Sequence, residues 1–243
     1  EAVSIDKDGI KISGSADVNF DSRDNFFDVF KKKPILEEEG VINIPSSGIK
    51  DIGIDFKMGK INITGSETTN EITIKFIKKV YGTDLAAAKE SLVQMKIEQD
   101  RSGNKLDLET NYPDEYPKGV RNLAFEIDMT VPKNIGGNLN ISNKYSHLKA
   151  SNILGNINAD SKYGEITLEK IDGNISIDSK FGQINLDLPK NYGFKFKGDT
   201  KFGSMSCSFP TSVEDGITVA NIGDRKHSIL VSNKYGHIKV NHG

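Results

Sequence analysis

From Gly136 to Pro189 the chain repeats itself every 18 residues, as GGNLNISNKYSHLKASNI, LGNINADSKYGEITLEKI and DGNISIDSKFGQINLDLP, with nothing between the copies. Gly-Asn-aliphatic recurs at Gly137, Gly155 and Gly173, and Lys-aromatic-small at Lys144-Tyr145-Ser146, Lys162-Tyr163-Gly164 and Lys180-Phe181-Gly182. A short fixed period means one structural unit stacked on copies of itself, since a unit this small cannot bury its apolar face alone. Strand side chains alternate faces, so inward columns can be counted back from the aromatic residue. They are Leu139/Ile157/Ile175, Ile141/Ala159/Ile177, Asn143/Ser161/Ser179 and Tyr145/Tyr163/Phe181. Past the Gly or Ser turn come Leu148/Ile166/Ile184 and Ala150/Leu168/Leu186. Two short strands per coil, each pairing in parallel with its equivalent in the next coil, predict an all-β fold: a single-stranded parallel β-helix (β-solenoid), right-handed.

The same register recurs outside the array. Ile229, Val231, Asn233 and Tyr235 precede Gly236, with Ile238 and Val240 after it; Thr200-Lys201-Phe202-Gly203 leads to Met205 and Cys207; Ile52, Ile54, Phe56 and Met58-Gly59 lead to Ile61 and Ile63. That makes six coils with insertions between the outer ones. Asp84 caps one short helix, expected over about 84–95, with Leu85, Ala88, Leu92 and Met95 on one face. Leu123–Val131 alternates and stops at Pro132, which reads as a strand leaving the sheet. Residues 111–119 and 209–216 read as loops, and 21–40 as a cap over a strand edge. The expectation is one domain over 1–243: an irregular capping segment 1–50, a long-coil part 51–135 and a regular part 136–243.

Composition excludes several partners. The 32 basic and 34 acidic residues nearly cancel, so no global field attracts nucleic acid. Cys207 is the single cysteine, which rules out an intrachain disulfide and a thiolate metal cluster. No run reaches the roughly 20 apolar residues of a spanning helix, and a start at Glu1 fits a mature chain whose export signal was removed. Cofactors and metals are not expected: His147 and His237 share their repeat position with Glu165, Gln183 and Ser204, which marks an exposed slot. No catalytic or nucleotide-binding motif is present, and the carboxylates Asp107, Glu109, Asp114 and Glu115 read as a charged loop region.

The regular polar feature is a column of Lys144, Lys162, Lys180, Lys201 and Lys234, with Asp160 and Asp178 on the same face as their lysines. Like charges about 5 Å apart repel by roughly 1 kcal/mol per neighbour in water, so an Asp/Lys ladder is the expected compensation. The same stripe is a candidate contact surface for a repetitive ligand. The aromatic column is expected in the core, because Phe replaces Tyr freely there.

Met58-Gly59-Lys60-Ile61-Asn62-Ile63, the helix after Tyr81-Gly82, the Val131-Pro132-Lys133 step and the serial aromatic-Gly-x-Ile units ending at Leu188-Pro189 resemble the bacterial putative-adhesin proteins, over Val41 to His242. That resemblance implies a β-helical protein exported to the periplasm or cell surface, of unknown function and without catalytic residues to carry over. The resulting expectation is a non-enzymatic binding or adhesion protein contacting a glycan, a cell-wall polymer or an envelope protein. The alternatives are a polysaccharide lyase or hydrolase, and an envelope-stress or regulatory component acting by protein association.

Overall fold

A computed structural model of the protein describes residues 2–6, 9–13 and 32–243. The strands β1 (Ala2–Asp6) and β2 (Gly9–Ser13) form an antiparallel hairpin of their own. All other strands among the described residues belong to one open 16-stranded sheet. In chain order these are β3 (Leu36–Pro45), β4 (Asp51–Ser66), β5 (Glu71–Gly82), β6 (Lys96–Ser102), β7 (Lys105–Asn111), β8 (Val120–Pro132) and β9 (Asn134–Tyr163). There follow β10 (Ile166–Asp172), β11 (Ile175–Phe181), β12 (Ile184–Leu188), β13 (Phe194–Phe202), β14 (Met205–Cys207), β15 (Ser212–Glu214), β16 (Ile217–Ile222), β17 (His227–Tyr235) and β18 (Ile238–His242). The helix α1 (Leu85–Gln94) is the one helix among the described residues; the Asp84 carboxylate accepts from the Ala86 and Ala87 N–H groups, as the sequence predicts.

The repeats pair in parallel and in register: Ile175 lies between Ile157 and Ile229, and Ile184 between Ile166 and Ile238. The first two regular coils also have a third short run. Asn152 and Lys170 take the left-handed conformation (φ 58° and 51°) at the same repeat position, after which Ile153 pairs with Ile171. Asn is one of the few residues that enters this region readily, and its side chain donates to the Gly65 carbonyl at 2.7 Å.

Spatial order departs from sequence order at both ends. The parallel first strands run β7, β4, the two halves of β9, β11, β17 and β13. The C-terminal coil β17/β18 therefore sits between the third perfect repeat and the β13/β14 coil. At the other end, β4 lies between β9 and a seventh coil, β7/β8, beyond the six that the sequence pattern predicts. Leu123–Val131 does not leave the sheet: β8 pairs in parallel with β4 and antiparallel with β5, so its alternation continues the array. The antiparallel strands β3, β5 and β6 and helix α1 follow outside this coil. The capping segment expected at 21–40 is described only from residue 32, where β3 supplies the edge strand; its earlier part lies outside the described residues.

Inside the array, Leu139, Ile157, Ile175, Ile166, Leu168 and Ile184 are fully buried. Where the other coils carry Val231 or Ile177, β13 has Gly198, because the Phe196 ring and Met205 fill the space a Cβ would take. Each coil corner is as tightly specified. Gly164, Gly182 and Gly236 have φ of 135°, 130° and 141°, and a Cβ on any of them would meet the backbone carbonyl of the adjacent coil. Gly182→Ala should therefore destabilise the protein by at least about 2 kcal/mol through backbone strain and steric overlap. Denaturant unfolding reads this directly, and an unchanged midpoint would contradict the corner geometry.

Candidate functional site

The outward residues of the first strands form rows across the coils. Nearest the Gly-Asn turns runs an asparagine ladder. Asn138 donates to Asp51 at 2.7 Å, Asn156 to Asn138 at 3.1 Å, and Asn156 Oδ1 accepts from the Asn174 backbone N–H at 2.9 Å. Asn158 repeats the motif with Asn140 at 2.8 Å. The Asn of Gly-Asn-aliphatic thus fastens one coil to the next, each bond contributing about 1 kcal/mol.

The next outward row is acidic. Glu109, Asp55, Ser142, Asp160 and Asp178 are register partners across β7, β4, β9 and β11. With Asp107 and the Glu98 and Asp100 side of β6 they line an open groove of about 830 Å³. Burial raises the Asp55 carboxyl above its usual range; Lys57 pulls it down, Glu109 pushes it up, and Lys144 again lowers it. Lys57 pairs with Glu109 and Lys105 with Asp107, both at 2.8 Å. Among the described residues no three acidic, histidine or cysteine side chains converge as a metal site. Composition alone hides this groove, because Asp107 and Glu109 read with Asp114 and Glu115 as a charged loop region. The signal that reveals it is alternation: Lys105-Leu106-Asp107-Leu108-Glu109 alternates as Asp51-Ile52-Gly53-Ile54-Asp55 does, which marks β7 as another coil.

Beside the acidic row stands the lysine column, in spatial order Lys144, Lys162, Lys180, Lys234 and Lys201. The structure brings all five together, but it does not join them to Asp160 or Asp178 as a ladder of ion pairs. The ion pairs of the described residues involve other lysines, and His227. Each column lysine instead holds its ammonium above an aromatic ring: 5.9 Å for Lys144 over Tyr145, 5.7 Å for Lys162 over Tyr163, 5.5 Å for Lys180 over Phe181. Lys234 over Tyr235 and Lys201 over Phe202 follow at 5.4 and 5.6 Å. A cation within about 6 Å of a ring centroid is attracted by the ring quadrupole, by about 0.5–1 kcal/mol at an exposed site. Burial, followed by the neighbouring charges of Lys144 and Lys180, pushes the Lys162 ammonium below its usual pKa, so the like-charge field along the column is not cancelled.

The rings stack at 5.0 Å for Tyr145/Tyr163, 4.8 Å for Tyr163/Phe181 and Phe181/Tyr235, and 5.0 Å for Tyr235/Phe202, all nearly parallel. Expected in the core, the column is instead a rim. Tyr145 is buried, Tyr163, Phe181 and Tyr235 are half-buried, and Phe202 at the open end is 56% exposed. The chain turns immediately after each ring, so the corner leaves ring edges facing solvent. At the opposite end Met58 takes the ring position; the Tyr112 hydroxyl donates to its carbonyl at 2.9 Å and the Tyr116 hydroxyl to its sulfur at 3.7 Å. The loop at 111–119 is thus anchored by half-buried tyrosines. Beneath the rings, Asn233 and Thr200 donate to the corner carbonyls of Gly182 and Gly236, while the Ser161 and Ser179 hydroxyls of the same column find no protein partner among the described residues.

The chain belongs to the Toastrack DUF4097 family, whose profile matches residues 34–241. It is similar in structure to a putative cell adhesion protein from Clostridium sporogenes, with a TM-score of 0.64, 20% identity, and coverage of 86% of this chain and 100% of that one. A putative adhesin from Bacteroides fragilis aligns over 84% of this chain and 97% of its own at a TM-score of 0.33 and 9% identity. No curated protein sequence matches the chain. The likeness to the Clostridium protein shows the fold.

Past the corner, His147 is half-buried and its Nδ1 accepts from the Glu165 N–H at 3.1 Å. Burial lowers its pKa, Glu165 opposes this and Lys60 reinforces it. A folded-state pKa below the unfolded value means the stability it contributes is present above about pH 6.5 and is lost as pH falls through the lowered value. His147→Gln, which copies Gln183 at the same repeat position, should flatten the decline in unfolding midpoint between pH 7 and 5; an identical decline in both proteins would show that other groups cause it.

Proposed function

We propose that the protein is a non-enzymatic binding protein of the bacterial envelope, exported to the periplasm or the cell surface, which contacts an envelope polymer or protein through the lysine-lined flank of its coils. The coils and the strands β3, β5 and β6 outside them act in this reading as one unit, wound as a right-handed β-solenoid, the hand favoured for crossovers between parallel strands. The observation that carries the reading is the lysine column: five ammonium groups held above stacked rings, none compensated by an ion pair with the acidic row beside it. The exact repeats set lysine beside lysine at a cost of up to roughly 1 kcal/mol per neighbour, and Lys234 and Lys201 keep the same charge in the coils outside those repeats. Membership of the Toastrack DUF4097 family and the adhesion names of structural relatives agree with it. No helix among the described residues is long and apolar enough to cross a membrane.

The test is capture of the purified chain on isolated bacterial cell envelopes. Lys162→Gln/Lys180→Gln/Lys234→Gln should weaken the apparent affinity about tenfold, equivalent to about 1.4 kcal/mol, with the unfolding midpoint little changed. Equal capture of both proteins would remove the lysine flank from the function.

A further inference from the structure

The lysine flank has a shape that selects among anionic partners. Parallel strands set successive lysines about 4.8 Å apart, so five of them cover roughly 19 Å in a line. The strip is one residue wide, because two residues earlier on the same strands stand Asp160, Asp178 and Asp199. A flat anionic surface laid on the lysines would also press against those carboxylates. A single polymer chain can follow the lysines and avoid them.

The rings narrow the choice again. Their faces are occupied by one another at 4.8–5.0 Å, so nucleobases find edges here and no stacking platform, except at the terminal Phe202. Recognition along the strip must therefore read charge at a fixed interval. A hexuronic acid ring with its glycosidic oxygen is about as long as the spacing between coils and carries one carboxylate. Polyphosphate crowds its charges more closely, and a polyol-phosphate chain spreads them more widely. The ammonium groups are already held over rings, so little side-chain freedom is lost when a ligand binds.

We infer that the Lys144, Lys162, Lys180, Lys234 and Lys201 row is a rail for a linear acidic polysaccharide, a polyuronate with one carboxylate per ring, and that the flanking aspartates hold it to a single chain. The inference rests on the lysine flank being the binding face, and it adds the ligand class and an opposing role for Asp160 and Asp178.

The experiment is fluorescence anisotropy of the full chain with labelled oligogalacturonate of about ten rings, beside its methyl ester, polyphosphate, and vesicles of phosphatidylglycerol. The acidic oligomer should bind and the neutral ester should not, with affinity falling as salt rises through counterion release. Lys162→Gln/Lys180→Gln should weaken binding at least tenfold, whereas Asp160→Asn/Asp178→Asn should tighten it several-fold. A purely structural stripe would not produce that opposite response, and the aspartate pair remains decisive even if the lysine pair folds poorly. Equal binding of acid and ester, no gain from the aspartate pair, or preference for polyphosphate or vesicles would each overturn the inference. Capture on envelopes without oligogalacturonate binding would sink the ligand class alone; failure of both would sink the binding face as well.

Discussion

In-register parallel pairing between coils is the constraint from which the rest of this structure follows. Because the repeat is 18 residues long, every residue in the regular array lies beside its own equivalent. Isoleucine meets isoleucine inside, asparagine meets asparagine outside, and lysine is forced beside lysine. Identity in register is favourable for apolar and amide side chains, which pack or hydrogen-bond with their own kind. For lysine it is unfavourable, and the aromatic residue next in sequence offsets part of that cost by placing a ring under each ammonium. The Lys-aromatic-Gly triplet is thus a single device: charge outside, ring at the rim, and a residue without Cβ to let the next coil approach.

Two neighbouring rows of opposite sign run along one flank without forming a ladder between them. Asp160 and Asp178 open onto the groove shared with β6 and β7, while the lysines lean toward the corner and its rings. Alternation explains the separation. Residues two apart on a strand point the same way, but the aromatic rim draws the long lysine side chains to the far side, and a short aspartate cannot follow. The flank is in consequence patterned at the scale of single residues even though the whole chain is nearly neutral.

Much of this is legible in the sequence, because a repeat prints its own register. Ile157 beside Ile175 and Tyr163 beside Phe181 follow from aligning copies, and the Asp84 cap from its position before a stretch with one apolar helical face. What is not legible concerns order and depth. Nothing in residues 194–242 says that Tyr235 stacks between Phe181 and Phe202, since both arrangements bury the same columns. The β7/β8 coil is hidden because residues 111–119 interrupt it at the corner, where the other copies have a single glycine or serine. Ring exposure escapes because alternation assigns a side, whereas a residue at a corner belongs half to each.

The placement of the last coil governs how the molecule can be made. On synthesis from the N-terminus, β11/β12 emerges with its outer edge open, and β13/β14 follows with β16 alone to pair with, on the edge away from β11/β12. The gap between them closes only when His227–His242 arrives, so this last stretch of the sheet acts as a keystone rather than as a terminal layer. Its loss would not shorten the stack from one end. It would leave two unpaired strand edges facing each other across an empty slot, which is the geometry most prone to capture a strand from another chain.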